Sequence, residues 1–271
     1  MTTLSPQIAR PTNPGGQSWR RFVALVKGET RILLRNGTAV FTAVALPFLV
    51  GFAFFGMSQD RGGLGPTLTM VLVGTSLMFV IYYTMVTSLV ARREQLVLKR
   101  LLTGEASRWQ ILIAPAVPLY ALFALQSLIA IGGSVLVGAQ IVHGWALVLA
   151  VVGGATTWTA LAVISAALTR TVEAAQLTTL PLILISLLLS GFSIPLAWLP
   201  EAVQRIAHLL PMTPVIDLIT LAYAGTGTDG RLLSGGLDLA SAGAVMVLPL
   251  LLWTVLALME GIRRFRWDAR S

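Results

Sequence analysis

Six stretches of the chain, roughly residues 39–57, 67–91, 111–139, 145–168, 174–199 and 239–259, contain no Asp, Glu, Lys, Arg or His. Each is close to or longer than the ~20 apolar residues an α-helix needs to cross a hydrocarbon core, and this constrains the fold more than any other feature. Leu, Ala, Val and Met dominate them, unlike the ~10-residue alternating segments of a membrane β-barrel. The chain is 56% hydrophobic and 11% charged, against roughly 25% charged in an average soluble domain, so it lacks the polar surface to cover a water-soluble globule. The expected fold is an all-α membrane protein with six transmembrane helices. There is no cysteine, which excludes disulfides, thiolate catalysis and cysteine-ligated metal sites.

The basic residues set the expected orientation. Arg10, Arg20, Arg21, Lys27, Arg31 and Arg35 precede the first stretch; Arg92, Arg93, Lys99, Arg100 and Arg108 follow the second; Arg170 follows the fourth; Arg263, Arg264, Arg266 and Arg270 follow the sixth. Sixteen of the nineteen basic residues therefore fall on one side, leaving Arg61, Arg205 and Arg231 on the other. The positive-inside rule makes the first side, with both termini, cytoplasmic. The net charge of +8 then reads as topology and attraction to anionic membrane lipid, not as a nucleic-acid site.

Residues 1–18 are rich in Pro, Gly, Thr and Ser and read as a disordered cytoplasmic tail. From Trp19 to Arg35, the apolar Phe22, Leu25, Val26, Ile32 and Leu33 interleave with Arg20, Arg21, Lys27, Glu29 and Arg31 near helical spacing. That pattern predicts an amphipathic helix lying in the cytoplasmic interface. The ~38 polar-to-amphipathic residues ahead of the first apolar stretch argue against a cleavable signal peptide. Residues 19–266 read as one transmembrane domain, with 267–271 as the end of the cytoplasmic tail.

The stretch ARREQLVLKRLLTGEASRW, residues 91–109, packs seven charged side chains between two apolar runs. Leu96, Leu98, Leu101 and Leu102 interleave with Arg92, Arg93, Glu94, Lys99 and Arg100, as in a short helix broken at Thr103-Gly104. A loop that only fixes topology has no need for four leucines, whereas a helix pressed against a cytoplasmic partner does. Arg93-Glu94, Leu98, Arg100-Leu101-Leu102 and Ser107-Arg108 resemble the cytoplasmic signature R-E-x-G-T-L-E-R-L-L-x-T-P-x-S-R of permease subunits in the type-2 ABC exporter family, daunorubicin-resistance-like permeases among them. Leu96-Val97 stands where that signature has Gly-Thr, Lys99 where it has Glu, and Glu105 where it has Pro. The resemblance implies a coupling helix that seats on an ATP-binding cassette ATPase subunit. Arg93, Glu94, Leu98, Lys99, Arg100, Leu101 and Leu102 are then the expected ATPase-coupling residues.

A second segment, FSIPLAWLPEAVQRIAHLLPMTPVIDLI at 192–219, is punctuated by Pro195, Pro200, Pro211 and Pro214. Val203, Ile206 and Leu210 share one helical face, while Glu201, Gln204, Arg205 and His208 lie elsewhere. The residues alone predict a helix shallowly embedded near the outer leaflet. The segment is similar to the one that follows the fifth span in the same family, and this implies a re-entrant extracellular gate with Pro200, Val203, Ile206 and Leu210. The resemblance covers residues 19–266.

No G-x-x-x-x-G-K-[ST] phosphate loop is present, nor a cytoplasmic stretch long enough for an ATPase domain. No catalytic residue, metal or cofactor is expected on this chain; ATP and Mg are expected on a partner subunit. The implied function is the permease subunit of an ATP-driven exporter that moves an amphipathic or hydrophobic substrate outward, a drug, an antibiotic or a lipid-like molecule. The expected assembly is a homodimer, or a pair with a similar permease, in a bacterial plasma membrane. An ion-coupled secondary transporter is the alternative, although such carriers place ionisable residues inside their spans; a membrane scaffold is the third reading. His143 and His208 fall in expected outer loops with no carboxylate at helical spacing, and read as surface histidines.

For the substrate path the sequence offers Thr75, Phe79, Tyr82, Tyr83 and Thr87 in the second stretch, and Thr178, Thr179 and Ser186 in the fifth. In the family these two spans line a cavity between paired permeases, and polar and aromatic groups on apolar helices suit an amphipathic substrate. Such residues also serve helix packing, as Gly132, Gly133, Gly153 and Gly154 are expected to do. Pro47, Pro115, Pro118, Pro181 and Pro249 are candidate kinks.

Overall fold

The computed structural model describes residues 14–55, 63–95, 110, 113–194, 196–226 and 237–264. The expected coupling residues Leu98, Lys99, Arg100, Leu101 and Leu102 lie outside them. Nine helices organise the described residues. They are α1 (Pro14–Arg35), α2 (37–55, with a π-helical turn at Phe41–Ala45), α3 (Leu64–Glu94, with a π-helical segment at Leu77–Tyr83), α4 (Ala116–Leu136), α5 (Gly144–Leu168), α6 (Val172–Leu189), α7 (Glu201–Ala207), α8 (Thr213–Ala224) and α9 (Leu237–Arg264). Helices α3, α4, α5, α6 and α9 are long and apolar enough to cross a membrane, and the bent pair α1–α2 brings the number to as many as six.

The bend between α1 and α2 is 90°. Asn36 causes it: its backbone is extended (φ −95°, ψ 100°), and its side-chain oxygen accepts the N–H of Ala39 at 3.1 Å, so α1 stops and a newly capped helix leaves in another direction. Helix α1 buries Glu29 while exposing Trp19, Ile32 and Leu34, so its two faces differ. It opens at Pro14, taking in the last five residues of the expected tail, because a proline in the first turn has no N–H to leave unsatisfied and a φ already helical.

Helix α3 is the hub. Of its most apolar window 78% is buried, against 22% for that of α9. Helices α2 and α4 pack along α3, α5 packs on both α3 and α9, and α8 wedges against α3 and α5. Hydrocarbon tails are as apolar as leucine, so close approach and interhelical hydrogen bonds must hold such helices together. Gly154 provides one approach: a Cβ there would stand 2.9 Å from Leu77 and 3.2 Å from Val215. Gly261 of α9 provides another, 3.1 Å from the backbone nitrogen of Ile164. Thr157 donates to the carbonyl of Leu250 (3.1 Å) and pairs with Thr254 (2.8 Å). Gly153 and Gly133 also face neighbours closely, Leu250 and Leu68, whereas Gly132 faces open space.

Two boundaries differ from the hydropathy reading. The fifth stretch stops being helical at Leu189, not at residue 199: Gly191 adopts φ 80°, and the N–H and hydroxyl of Ser193 bond the carbonyl of Leu187 at 3.2 and 2.6 Å. A left-handed glycine with local donors for the last carbonyls is a helix stop, however apolar the residues beyond it. The third stretch becomes a continuous helix only at Ala116, with Pro115 and Pro118 confined to its start, where a missing N–H is harmless. Pro181 and Pro249 sit inside α6 and α9.

Helix α8, with twelve residues, is too short to cross a hydrocarbon core. Its Val215 meets Gly154 halfway along α5, while the carbonyl of Ala222 accepts the N–H groups of Val142 (2.8 Å) and His143 (3.0 Å) at the start of α5. Helix α8 therefore rises from mid-bundle to the end opposite the arginines, with α7 preceding it.

Candidate functional site

At the basic end, Arg93 and Glu94 close the last turn of α3 and act on two neighbouring helix termini. The four final carbonyls of any helix lack intrahelical donors. Arg93, 1% exposed, donates to the carbonyls of Ala166 (2.9 Å), Thr169 and Arg170 (3.3 Å) at the end of α5. A cation placed there also complements the negative end of the helix dipole. Glu94, exposed, accepts the N–H of Val172 in the first turn of α6 at 3.3 Å, and Thr171 caps the same turn through the N–H of Ala174. The Arg-Glu pair thus clamps the turn between α5 and α6 to the foot of α3, immediately before the charged stretch 96–109. The adjacent Arg92 forms a buried ion pair with Glu29, which fixes α1 to the same foot of α3. Sequence pattern alone did not single out this pair.

The expected path residues divide by environment. Thr75 is buried and bonds the carbonyls of Val71 and Leu72 within its own helix; Thr179 is buried and bonds Ala175 and Gln176 in the same way. Tyr82 is 1% exposed, its hydroxyl 2.9 Å from Ser165 and its ring edge-on to Trp158 at 5.4 Å. Ser186 is buried. Phe79, Tyr83 and Thr87 are half-buried, and Thr178 is exposed, pairing with Thr169 at 2.7 Å. Four of the eight are therefore enclosed in the bundle of one chain, and Phe79, Tyr83, Thr87 and Thr178 retain accessible surface. Phe79, Tyr82 and Tyr83 all belong to the π-helical segment of α3, whose wider turn is held by Thr84 donating to the carbonyl of Phe79, five residues back, at 2.8 Å. π-Helical turns inside longer helices recur at functional sites.

At the opposite end, Pro200 precedes α7, Val203 and Leu210 are half-buried, and Ile206 is exposed. Thr213 donates to the carbonyl of Ala207, and the indole of Trp253 to that of Leu209 at 2.7 Å, which ties the α7–α8 corner to the middle of α9. Tyr223 closes α8 against Thr69 of α3 (2.7 Å) and Ser134 of α4 (2.6 Å). Among the described residues no group of three or more His, Asp or Glu converges to hold a metal ion.

This order of apolar spans, with a right-angled amphipathic helix ahead and a half-depth helix after the fifth, accompanies a direct sequence match: the model of the ABC-2 type transporter family covers residues 20–223. The chain belongs to the ABC-2 type transporter family. No curated protein matches it. It is thus a multi-pass membrane protein and the permease of an ABC-type transporter, the transmembrane part that generally carries no catalytic centre.

One residue of this permease escaped the sequence reading. Asp217 is the only charged side chain in α8. It lines a cavity of about 220 Å³ with His208, Pro214, Val245, Met246 and Pro249. A lone carboxylate in a twelve-residue apolar helix is a visible signal, but it falls between the six long stretches and outside the gate residues.

Proposed function

We propose that this permease exports an amphipathic or hydrophobic substrate and is driven by a separate ATP-binding cassette subunit that binds ATP and Mg. It works as a homodimer, or beside a similar permease, with both termini in the cytoplasm of a bacterium. The observation that carries this reading is the clamp at the foot of α3. The stretch 96–109 begins one residue beyond Gln95, the residue after the Arg-Glu pair, so a partner that moves this stretch pulls on the α5–α6 turn and on the hub helix together. Its leucines supply buried anchors and its charges fix register, the usual division at such an interface.

The test is co-purification. Replacing both Leu98 and Leu101 with Asp places carboxylates in an apolar contact and costs several kcal/mol of docking, whereas Lys99→Ala costs about 1 kcal/mol if that charge lies on the rim. The double variant is expected to insert normally but to lose its ATPase subunit and its transport. Retention of that subunit with undiminished ATP hydrolysis would refute the docking role.

A further inference from the structure

The Asp217 cavity brings together one carboxylate and one imidazole, that of His208, among otherwise apolar side chains. The Asp217 carboxylate forms no hydrogen bond or ion pair with any described residue. Pro249, on the facing wall, has no N–H, so the carbonyl of Val245 one turn earlier loses its normal helical donor. Pro214 likewise contributes no N–H. The Asp217 carboxylate therefore faces about 220 Å³ of space without a bonded partner. Desolvating a carboxylate without a bonded partner is costly, and an incoming cation with N–H donors relieves that cost. His208 also lines the space; the rest of the lining is apolar, with Met246 a flexible and polarizable wall. At its rim, Val245, which also lines it, and Leu248 of α9 are 64% and 67% exposed on the bundle surface. A ligand with a charged head and an apolar body matches this arrangement.

We propose that the cavity between α8 and α9 binds the protonated amine of a cationic amphiphile, with the ammonium on Asp217 and the apolar body along Val245 and Leu248. This names the charge class of the cargo and rests on the export reading above. The hydroxyls of the second and fifth spans carry no charge and give a cation no ionic partner.

The test uses the permease in lipid nanodiscs and a dansyl-labelled decylamine carrying one protonated amine, compared with its neutral N-acetyl analogue. Fluorescence titration is expected to show at least tenfold tighter binding of the amine. Asp217→Asn, the same shape without charge, should abolish that preference while leaving the neutral analogue unaffected. Met246→Trp, which fills the space with the carboxylate intact, should weaken the amine similarly, and an unchanged thermal midpoint for either variant shows that the fold is kept. Equal affinity for both probes in the parent protein, or an amine preference that survives Asp217→Asn, would overturn the site. Transport separates this from the export reading: Asp217-dependent binding without ATP-driven export of the amine leaves the site standing and removes export. Export of the neutral analogue with no amine preference does the reverse.

Discussion

Replacing Arg93 with Ala is the sharpest probe of how the foot of α3 is held. The guanidinium reaches three carbonyls at the end of α5, two of them closely and Arg170 at a longer 3.3 Å. A hydrogen bond to a charged group contributes about 1.5–3 kcal/mol, and with Arg93 only 1% exposed solvent screening removes little of it. The two close bonds give about 3–6 kcal/mol, and water entering the truncated site recovers part, so a loss of about 3–5 kcal/mol is expected. Arg93→Lys keeps the charge but not the planar fork, and should retain about half of the stabilisation. Denaturation of the purified permease by increasing mole fraction of SDS in mixed micelles, followed by tryptophan fluorescence, measures both. A loss under about 1 kcal/mol for Arg93→Ala, or no difference between Ala and Lys, would refute the clamp.

Gly74→Ala would place a Cβ 2.5 Å from the ring of Phe192, which is fully buried; a destabilisation of about 1–3 kcal/mol is expected in the same titration, with Gly132→Ala, facing open space, near neutral. Breaking the Arg92–Glu29 pair by Glu29→Ala should cost about 3–5 kcal/mol by stranding a buried cation, while the double replacement of both residues by Met should recover most of it; a double mutant as unstable as the single would show that the pair is not coupled. Reporters fused near residue 100 and near residue 220 should report cytoplasm and exterior respectively, as the basic asymmetry requires; the same side for both would overturn the span order.

The spans were legible because hydropathy is local: transfer of about 20 apolar side chains decides the matter whatever the neighbours do. The end of α6 was not legible in the same way. Residues 190–199 remain apolar, but Gly191 turns left-handed, and a hydropathy sum registers transfer free energy, not backbone dihedrals; only Gly191 and Pro195 hinted at the stop. The 90° turn at Asn36 has the same character, since a single extended residue with a capping side chain redirects a helix without changing its composition. Hydroxyl residues leave the path open for a different reason. Thr75 and Thr179 satisfy themselves on carbonyls one turn back, which makes them compatible with burial and gives no sign of whether they face a path. Asp217 was overlooked because it stands in a helix too short to register as a span.

Arg93 shows most plainly where sequence pattern stops. Its partners are backbone carbonyls more than seventy positions away, and a carbonyl has no sequence signature, so only the fold reveals that a residue expected at a partner's surface holds two helix ends together. The consequence reaches the middle of the bundle. Leu77, at the start of the π-helical segment of α3, packs on Gly154 of α5, which Val215 of α8 also touches. Gly154 has no room for a Cβ between them, so an axial shift of α3 cannot be absorbed there by a pliable side chain. Close packing turns it into a shift of α5 or α8, and α8 is the shorter of the two. The foot of α3, where the charged stretch begins, and the half-depth helix at the other end are therefore linked through the tight contact at Gly154 as well as by direct packing of α8 on α3.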